Sequence, residues 1–439
     1  MSKEEVKSCV EENIELIQED DERLKGDAIG DTLYSESFIL KTLMNLTEKL
    51  PVYSRESNTS HNLEDEAVEL EESLETDLCL LWDMTADRDV ALCLIQHDIL
   101  DIMKCVMEES IAPRLTEIGI GILANLSCQN EISAQIILDH ELTTAIVNLM
   151  TISDDSQTII QIVRLLNTLL AHSQIESCIS LPSLEALVKS VAFILQNSLN
   201  EELLIGSSKL LDAIASQIDP IFEIPFESLL RGIVEAQKQL KNFFSCDESN
   251  YPETVQDSFD ALVSALYNFS RNEEMRVEIV NFGEHVTSFL QFYFTLLLKN
   301  IRNTEEVVAD STASALKAIT IFYVTIASAS PLSNILELSG RIGSQLRSCL
   351  DGESEASKYA SDYRDLTGDC FRKQLDVFGI EHSLSLLESL DAEALTFVLQ
   401  AAHQTVPNRL KEFADTARSR GSFNKVMETY DSLAKNNAR

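Results

Sequence analysis

The chain has 439 residues, 45 % of them hydrophobic, with 72 acidic against 34 basic side chains and a formal net charge of −38. An acidic field of that size repels nucleic-acid phosphates and anionic membrane surfaces and favours basic protein segments as partners. The length admits two or three globular domains, or one solenoid in which each repeat touches only its neighbours.

Residues 1–30 hold ten acidic and four basic side chains and read as an acidic, flexible leader. From Tyr34 the spacing of Phe38, Ile39, Leu43, Leu46 and Leu50 predicts a helix, which Pro51 ends because proline lacks an N–H donor and clashes with the preceding turn. Residues 52–63 are polar and read as a loop. Glu64, Asp65, Glu66, Glu69, Glu71, Glu72, Glu75 and Asp77 then put eight acids in fourteen residues with no basic residue between them. Leu70, Leu74 and Leu78 keep a helical spacing beneath them, which predicts a helix with an acidic, solvated face. The ligand spacing and turn glycine of a calcium loop are missing.

The region 78–216 carries the clearest repeats. Gly121-Ile122-Leu123-Ala124-Asn125-Leu126 is followed by Ile132, Ile136 and Ile137 at helical spacing. Weaker versions of this phrase stand around Asp83, Thr168, Ala213 and Asn268. Taking these as matched to Asn125, the steps are 42, 43, 45 and 55 residues. That period predicts stacked helical repeats of the armadillo or HEAT kind. Pro113 suits a helix start, and Ile118, Ile122 and Leu126 form one apolar stripe. Gly119 and Gly121 flank it, and a close helix crossing would repay their low helix propensity. Asp154-Asp155 precedes a helix burying Ile159, Ile162, Leu166 and Leu169. Looser, polar stretches predict loops near 241–256 and 351–366. Phe289 to Leu297 is the most apolar stretch and fits a buried helix, and helices resume from Phe371 to about Ala402. The tail 406–439 is basic, with seven basic and four acidic residues from Arg409 to Arg439, and either folds back on an acidic face or stays loose.

Few residues suggest chemistry. The nine cysteines are irregularly spaced, with no CxxC pair, so neither a disulfide framework nor structural zinc is expected. The seven histidines form no HExxH motif, and no GxSxG elbow or GKS/GKT phosphate loop occurs. The expectation is therefore no catalytic residue, no cofactor and no metal site. The start Met1-Ser2-Lys3-Glu4-Glu5 lacks a signal peptide's apolar core, and no run of 18 uncharged apolar residues occurs. A nuclear or cytoplasmic location is expected.

Two resemblances add to this reading. In armadillo proteins that bind extended peptides, a repeated asparagine holds the ligand backbone and a tryptophan one turn earlier covers its side chains. This chain is similar at Asn125 and Asn268 but departs from the pattern, with Gly121 and Ser264 where tryptophan would stand. Its one tryptophan, Trp82, suits the core or an end cap. More specifically, Leu80-Leu81-Trp82-Asp83-Met84 through Asp89-Val90-Ala91-Leu92 resembles the serum amyloid A-like protein family. So do Pro113-Arg114-Leu115-Thr116-Glu117-Ile118 running on to Asn125, and Gly26-Asp27-Ala28-Ile29-Gly30 with Thr32 and Tyr34-Ser35. The resemblance is clearest over 26–140. It implies an armadillo-like, intracellular protein, often nuclear, tied to promoting cell proliferation, and carries no catalytic residues.

The expected fold is all-α, a right-handed α-solenoid of armadillo/HEAT-like repeats running from 31 to 405. The expected function is a non-catalytic protein-interaction scaffold or adaptor; a structural or regulatory subunit of a larger enzyme complex is the alternative. Candidate protein-binding residues are Glu64, Asp65, Glu66, Glu69, Glu71, Glu72 and Glu75 of the acidic strip, with Asn125, Arg164 and Asn268 on inner helices.

Overall fold

The computed structural model describes residues 27–54, 68–217, 226–243, 251–303, 308–326, 333–349, 354–421 and 423–437. The fold is all-α, an α-solenoid of armadillo/HEAT-like repeats. Among the described residues there are two isolated antiparallel bridges, Ala28 with Ser35 and Ser54 with Ser110, and no longer strand. The expected repeat body from 31 to 405 divides into two compact units, Met1–Ser190 and Val191–Arg439.

The first unit begins with α1 (Glu36–Lys49), capped by the Ser35 side chain. Helices α2 (Glu72–Met84), α3 (Arg88–Ile95), α4 (Ile99–Glu109), α5 (Pro113–Leu126), α6 (Asn130–Leu138), α7 (His140–Ile152) and α8 (Ser156–His172) follow. A one-turn α9 (Ile175–Cys178) and α10 (Leu181–Asn197) complete the series, and the division between units falls inside α10. Each triplet is a short helix, a second helix and a longer third helix. The third helices pack on one another in the order α2, α5, α8, while α4 packs on α7. Ile118, Ile122 and Leu126 are fully buried in α5, which starts at Pro113. Aspartates open several helices by accepting the orphan N–H groups of the first turn. Asp87 does so for α3, Asp139 for α7 and Asp155 for α8, where it accepts from the Thr158 backbone N–H and hydroxyl at 2.7 Å each.

In the second unit α11 (Glu201–Gln217), α12 (Phe226–Phe243), α13 (Glu253–Ser270), α14 (Glu273–Asn281), α15 (Gly283–Asn303), α16 (Val308–Thr325) and α17 (Ser333–Gln345) continue the pattern. Then come α18 (Glu355–Ser389), α19 (Ala392–Thr405), α20 (Pro407–Arg420) and α21 (Asn424–Asn437). Two parallel series of packing result. One runs α11, α13, α16, α18; the other runs α12, α15, α17, α19. The apolar stretch from Phe289 is the middle of α15, with Phe289, Tyr293 and Phe294 buried.

Several expected boundaries change. Residues 1–26 of the leader, and Glu64, Asp65 and Glu66 of the acidic strip, lie outside the described residues. The strip is not helical throughout, since Val68–Leu70 precede the helix and α2 starts only at Glu72. In the expected loop at 241–256, residues 241–243 end α12 and 253–256 begin α13; 244–250 lie outside the description. The expected loop at 351–366 is helical from Glu355. Ser354 caps that helix, accepting from the Ser357 N–H at 3.2 Å, and Ala360, Tyr363, Thr367 and Phe371 bury one face. Small polar residues hid this stripe, because Ser357 and Thr367 occupy buried turns where apolar residues were sought. Gly379, at φ +78°, breaks α18 in a left-handed conformation that favours glycine.

The basic tail takes the folded-back alternative. Leu410, Phe413 and Ala417 of α20 and Val426 of α21 join Phe371, Leu387, Leu395 and Val398 in one core cluster. The Phe371 and Phe413 rings meet edge to face at 5.4 Å. Phe413 is 1 % exposed. Phe413→Ala is expected to lower the unfolding free energy of this unit by about 3–5 kcal/mol, transfer and cavity terms together, measured by urea denaturation with far-UV circular dichroism.

Candidate functional site

Of the matched repeat positions, Asp83 is exposed and Asn125, Thr168, Ala213 and Asn268 are half-buried. They mark the neighbourhood of a polar ladder that ties successive third helices together. In the first unit the ladder is built on Asn125. Its Nδ2 donates to the Trp82 carbonyl oxygen at 3.0 Å and to Thr85 Oγ1 at 2.9 Å, where α2 ends. The Trp82 carbonyl also accepts from the Thr85 N–H of its own helix end at 3.2 Å, so α5 adds a further donor there. Its Oδ1 accepts from the Arg164 guanidinium of α8. An amide side chain has two donors and two acceptor lone pairs, and three of these four capacities are used within the protein.

Gly121, one turn before Asn125, faces the Trp82 ring, and a Cβ placed there would overlap the indole carbons. This explains the departure from the peptide-binding pattern. The tryptophan of one repeat fills the space left by the next repeat's glycine, instead of covering a ligand. Trp82 is half-buried at this contact between repeats.

The second unit repeats the device with different chemistry. Lys317 of α16 donates to Ser264 Oγ of α13 at 2.8 Å, and Ser264 hydrogen-bonds the Asp212 carboxylate of α11. Asp212 Oδ1 is buried with no hydrogen-bond partner among the described residues. Burial pushes this carboxyl up from its ordinary range, while the Ser264 bond and the Lys317 charge pull it down less strongly. Nearby, the fully buried Tyr293 phenol donates to Asp260; burial first, then that carboxylate, push the phenol well above its usual value. Sequence matching missed Trp82, Asp212, Ser264 and Lys317 as ladder members. Trp82 and Asp212 stand one residue before the matched Asp83 and Ala213. Ser264 and Arg164 stand one turn before Asn268 and Thr168.

The remaining candidates divide. Glu71 pairs with Lys49 at 2.6 Å, and that hydrogen bond holds its carboxyl below the ordinary range. Glu75 accepts from Arg114 at 2.7 Å, and Arg114 also meets Glu117 at 2.7 Å. Glu69 and Glu72 are exposed. Arg164 is exposed and also donates to Gln161 at 3.1 Å. Asn268 is half-buried near the end of α13, and Arg164 and Asn268 lie in different units. The structure therefore brings Asn125 and Arg164 together.

An open cleft of about 600 Å³ in the second unit is lined by Lys238, Lys241, Lys299, His285, Tyr251 and Phe292. Lys238 pairs there with Glu235 at 3.2 Å, and Lys241 lies over the Phe292 ring. The chain's surface is not uniformly acidic. Burial and the Glu36 carboxylate push the Cys93 thiol up, opposite to what a nucleophilic cysteine needs. Among the described residues no helix is long and apolar enough to cross a membrane.

No family model matches the chain. It is similar to human Protein SAAL1, 33 % identical over 189 residues, covering 43 % of this chain and 39 % of the relative. It is likewise similar to Danio rerio Protein saal1, 30 % identical over 269 residues, 55 % and 54 % respectively, and to Mus musculus Protein SAAL1, 34 % over 229 residues, 51 % and 45 %. The chain spans about half the length of the curated relatives it matches. Two solved structures are similar at 14 % identity over 64 % of this chain. One is an engineered protein, with a TM-score of 0.39 and 97 % of its chain covered. The other is a designed armadillo repeat protein in complex with the peptide (KR)4, with a TM-score of 0.37 and 99 % covered. The resemblance placed on 26–140 is corrected by these matches. The similarity runs over 189 to 269 residues, well beyond that segment, and with no family model matching, the chain is not assigned to the family.

Two outcomes follow from the ladder. Gly121→Ala forces the Trp82 ring out of its seat, so emission of this sole tryptophan is expected to shift to the red and the melting temperature to fall. Asp212→Asn is expected to stabilise the protein at neutral pH. A raised folded-state pKa means the folded carboxyl holds its proton more tightly than the unfolded one. Its contribution is present below the unfolded value, near 3.8, and is lost as pH rises through the folded value. The gain from Asp212→Asn, measured by urea titration at several pH values, therefore shrinks on acidification.

Proposed function

We propose that this chain is a non-catalytic scaffold or adaptor that receives basic segments of other proteins. The observation that carries the reading is the repeat fold joined to a net charge of −38. Stacked helices within each unit expose helix faces that a partner can use, and the charge selects cationic partners and speeds their approach. The proposed contact is the acidic segment 64–77, with Glu69 and Glu72 exposed on it and Glu71 and Glu75 able to exchange Lys49 and Arg114 for a partner's cations. Arg164 is proposed to pin an acidic residue of the partner. Asn125 and Asn268 are given a positioning role, since the Asn125 amide is largely spent within the protein. An obligate subunit of an enzyme complex would instead present one apolar flank. The exposed apolar side chains Met44, Leu138, Ile152 and Phe193 stand on four separate helices. The scattered cysteines support a nuclear or cytoplasmic location.

Exposed ion pairs contribute about 0–1 kcal/mol each, so affinity built on them is salt-sensitive. Binding of a short Lys/Arg-rich peptide, followed by fluorescence anisotropy, is expected to weaken at least about tenfold between roughly 50 and 300 mM salt. Changing the acids of 64–77 to their amides should produce a comparable loss at low salt. Binding that ignores both salt and these substitutions would overturn the proposal.

A further inference from the structure

Three side chains from two distant parts of the sequence converge beside the first helix. Glu36 opens α1, Cys93 lies in α3, and His97 stands in the turn after α3. One ligand atom from each lies within 4.8 Å of the other two. His97 Nε2 is 3.2 Å from Glu36 Oε1. Cys93 and His97 are four residues apart, the spacing that puts two side chains on one side of a helical turn. The carboxylate then arrives from a segment 57 residues upstream of the thiol.

We propose that Glu36, Cys93 and His97 form a zinc site. A packed thiol needs no charged neighbours, and a surface His–Glu pair needs no thiol, so neither simple role accounts for all three meeting. One sulfur, one imidazole nitrogen and one carboxylate oxygen are donors that zinc accepts together, at about 2.3, 2.0–2.1 and 2.0–2.2 Å. His97 Nε2 and Glu36 Oε1 stand 3.2 Å apart, about the separation of two ligands on one tetrahedral zinc, and the thiol lies within 4.8 Å of both. Magnesium and calcium prefer oxygen ligands alone and are disfavoured by the sulfur. On binding, the Cys93 S–H proton passes to solvent, the sulfur lone pair makes the S–Zn bond, and no electron changes hands. A fourth position stays open to water or to a side chain of another protein. The spacing hides from a search for paired cysteines because two of the three donors are not cysteine and one of those two, Glu36, is remote in sequence.

The site has a physical role in this fold. The segment leading into α1 is held by short-range polar contacts, with Asp27 accepting from the Ser35 hydroxyl and from the Ser37 N–H at 3.1 Å. Gly30, at φ +55°, lies against the Asp89 carboxylate at the start of α3. Zinc would add a bond from α1 to the end of α3, closing a long loop. A metal that binds only the folded chain raises its stability in proportion to the logarithm of free metal over Kd.

The test uses the full chain, reduced and stripped of metal, and zinc itself as the probe. Zinc is titrated in competition with a chromophoric chelator. The wild type is expected to show a site whose affinity falls by more than about 100-fold in Cys93→Ser and in His97→Ala, beyond what loss of an outer-shell group produces, and about tenfold in Glu36→Gln. Cobalt(II) should give a thiolate charge-transfer band that Cys93→Ser lacks although every other cysteine remains. Zinc should raise the melting temperature of the wild type and not of Cys93→Ser. If Cys93→Ser fails to fold, His97→Ala and Glu36→Gln carry the comparison. Zinc binding of equal affinity and stoichiometry in wild type and variants, a silent Glu36→Gln, or no binding by the wild type would each overturn the site.

Discussion

The packing of the first unit turns on the junction where Asn125 of α5 meets the end of α2. An α-helix leaves its last carbonyls without partners, and at the end of α2 the Thr85 and Ala86 N–H groups take up those of Leu81, Trp82 and Asp83. Asn125 adds a bond between repeats, reaching across from α5 to the Trp82 carbonyl and to Thr85, while Gly121 makes room for the Trp82 ring. Polar closure and apolar packing thus occupy one junction. Arg164 then fixes the amide from the third helix of the series. Register between neighbouring repeats is set here by directional bonds, which greasy stripes alone do not provide.

The charge excess looks different once side chains are placed. Asp87, Asp139, Asp155 and Asp391 spend their carboxylates on helix N-termini. Others neutralise basic residues of adjacent repeats, as Glu131 does with Arg88 at 3.0 Å and Asp257 with Lys209 at 3.2 Å. Acidic residues are therefore part of how each helix starts as well as part of the solvated coat. What is left to attract a partner is a subset, and exposure decides which members belong to it. Glu69 and Glu72 keep that freedom more than Glu71 and Glu75 do.

The fold was legible because its signal is periodic. Ile118, Ile122 and Leu126, or the 42- to 45-residue steps, report burial and repeat length without reference to any partner. The helix over 355–366 was not legible, because Ser357 and Thr367 fill buried positions with hydroxyls that bond within the helix, Thr367 to the Tyr363 carbonyl at 2.8 Å. The candidate site was legible only in part. Asn125 stood out, but its role depends on which group it meets, and that group is 43 residues away in sequence. Asp212, Ser264 and Lys317 come from three helices with different side-chain chemistry, so no motif unites them. Proximity across repeats is set by stacking, which a single sequence does not record.

The last described helices of the second unit cover an apolar face of the helices before them. Here α20 and α21 lay Leu410, Phe413, Ala417 and Val426 on that face. Their basic side chains turn to carboxylates, Arg409 to Asp376 and Arg418 to Asp431, each at 2.6 Å, and Arg420 to Glu381. The local reversal of charge in the tail is thereby given a structural cause. Cations on these two helices are held by carboxylates of α18 and of the two helices themselves. In this tail the arginines pair with carboxylates at the surface while Leu410 and Phe413 join the core.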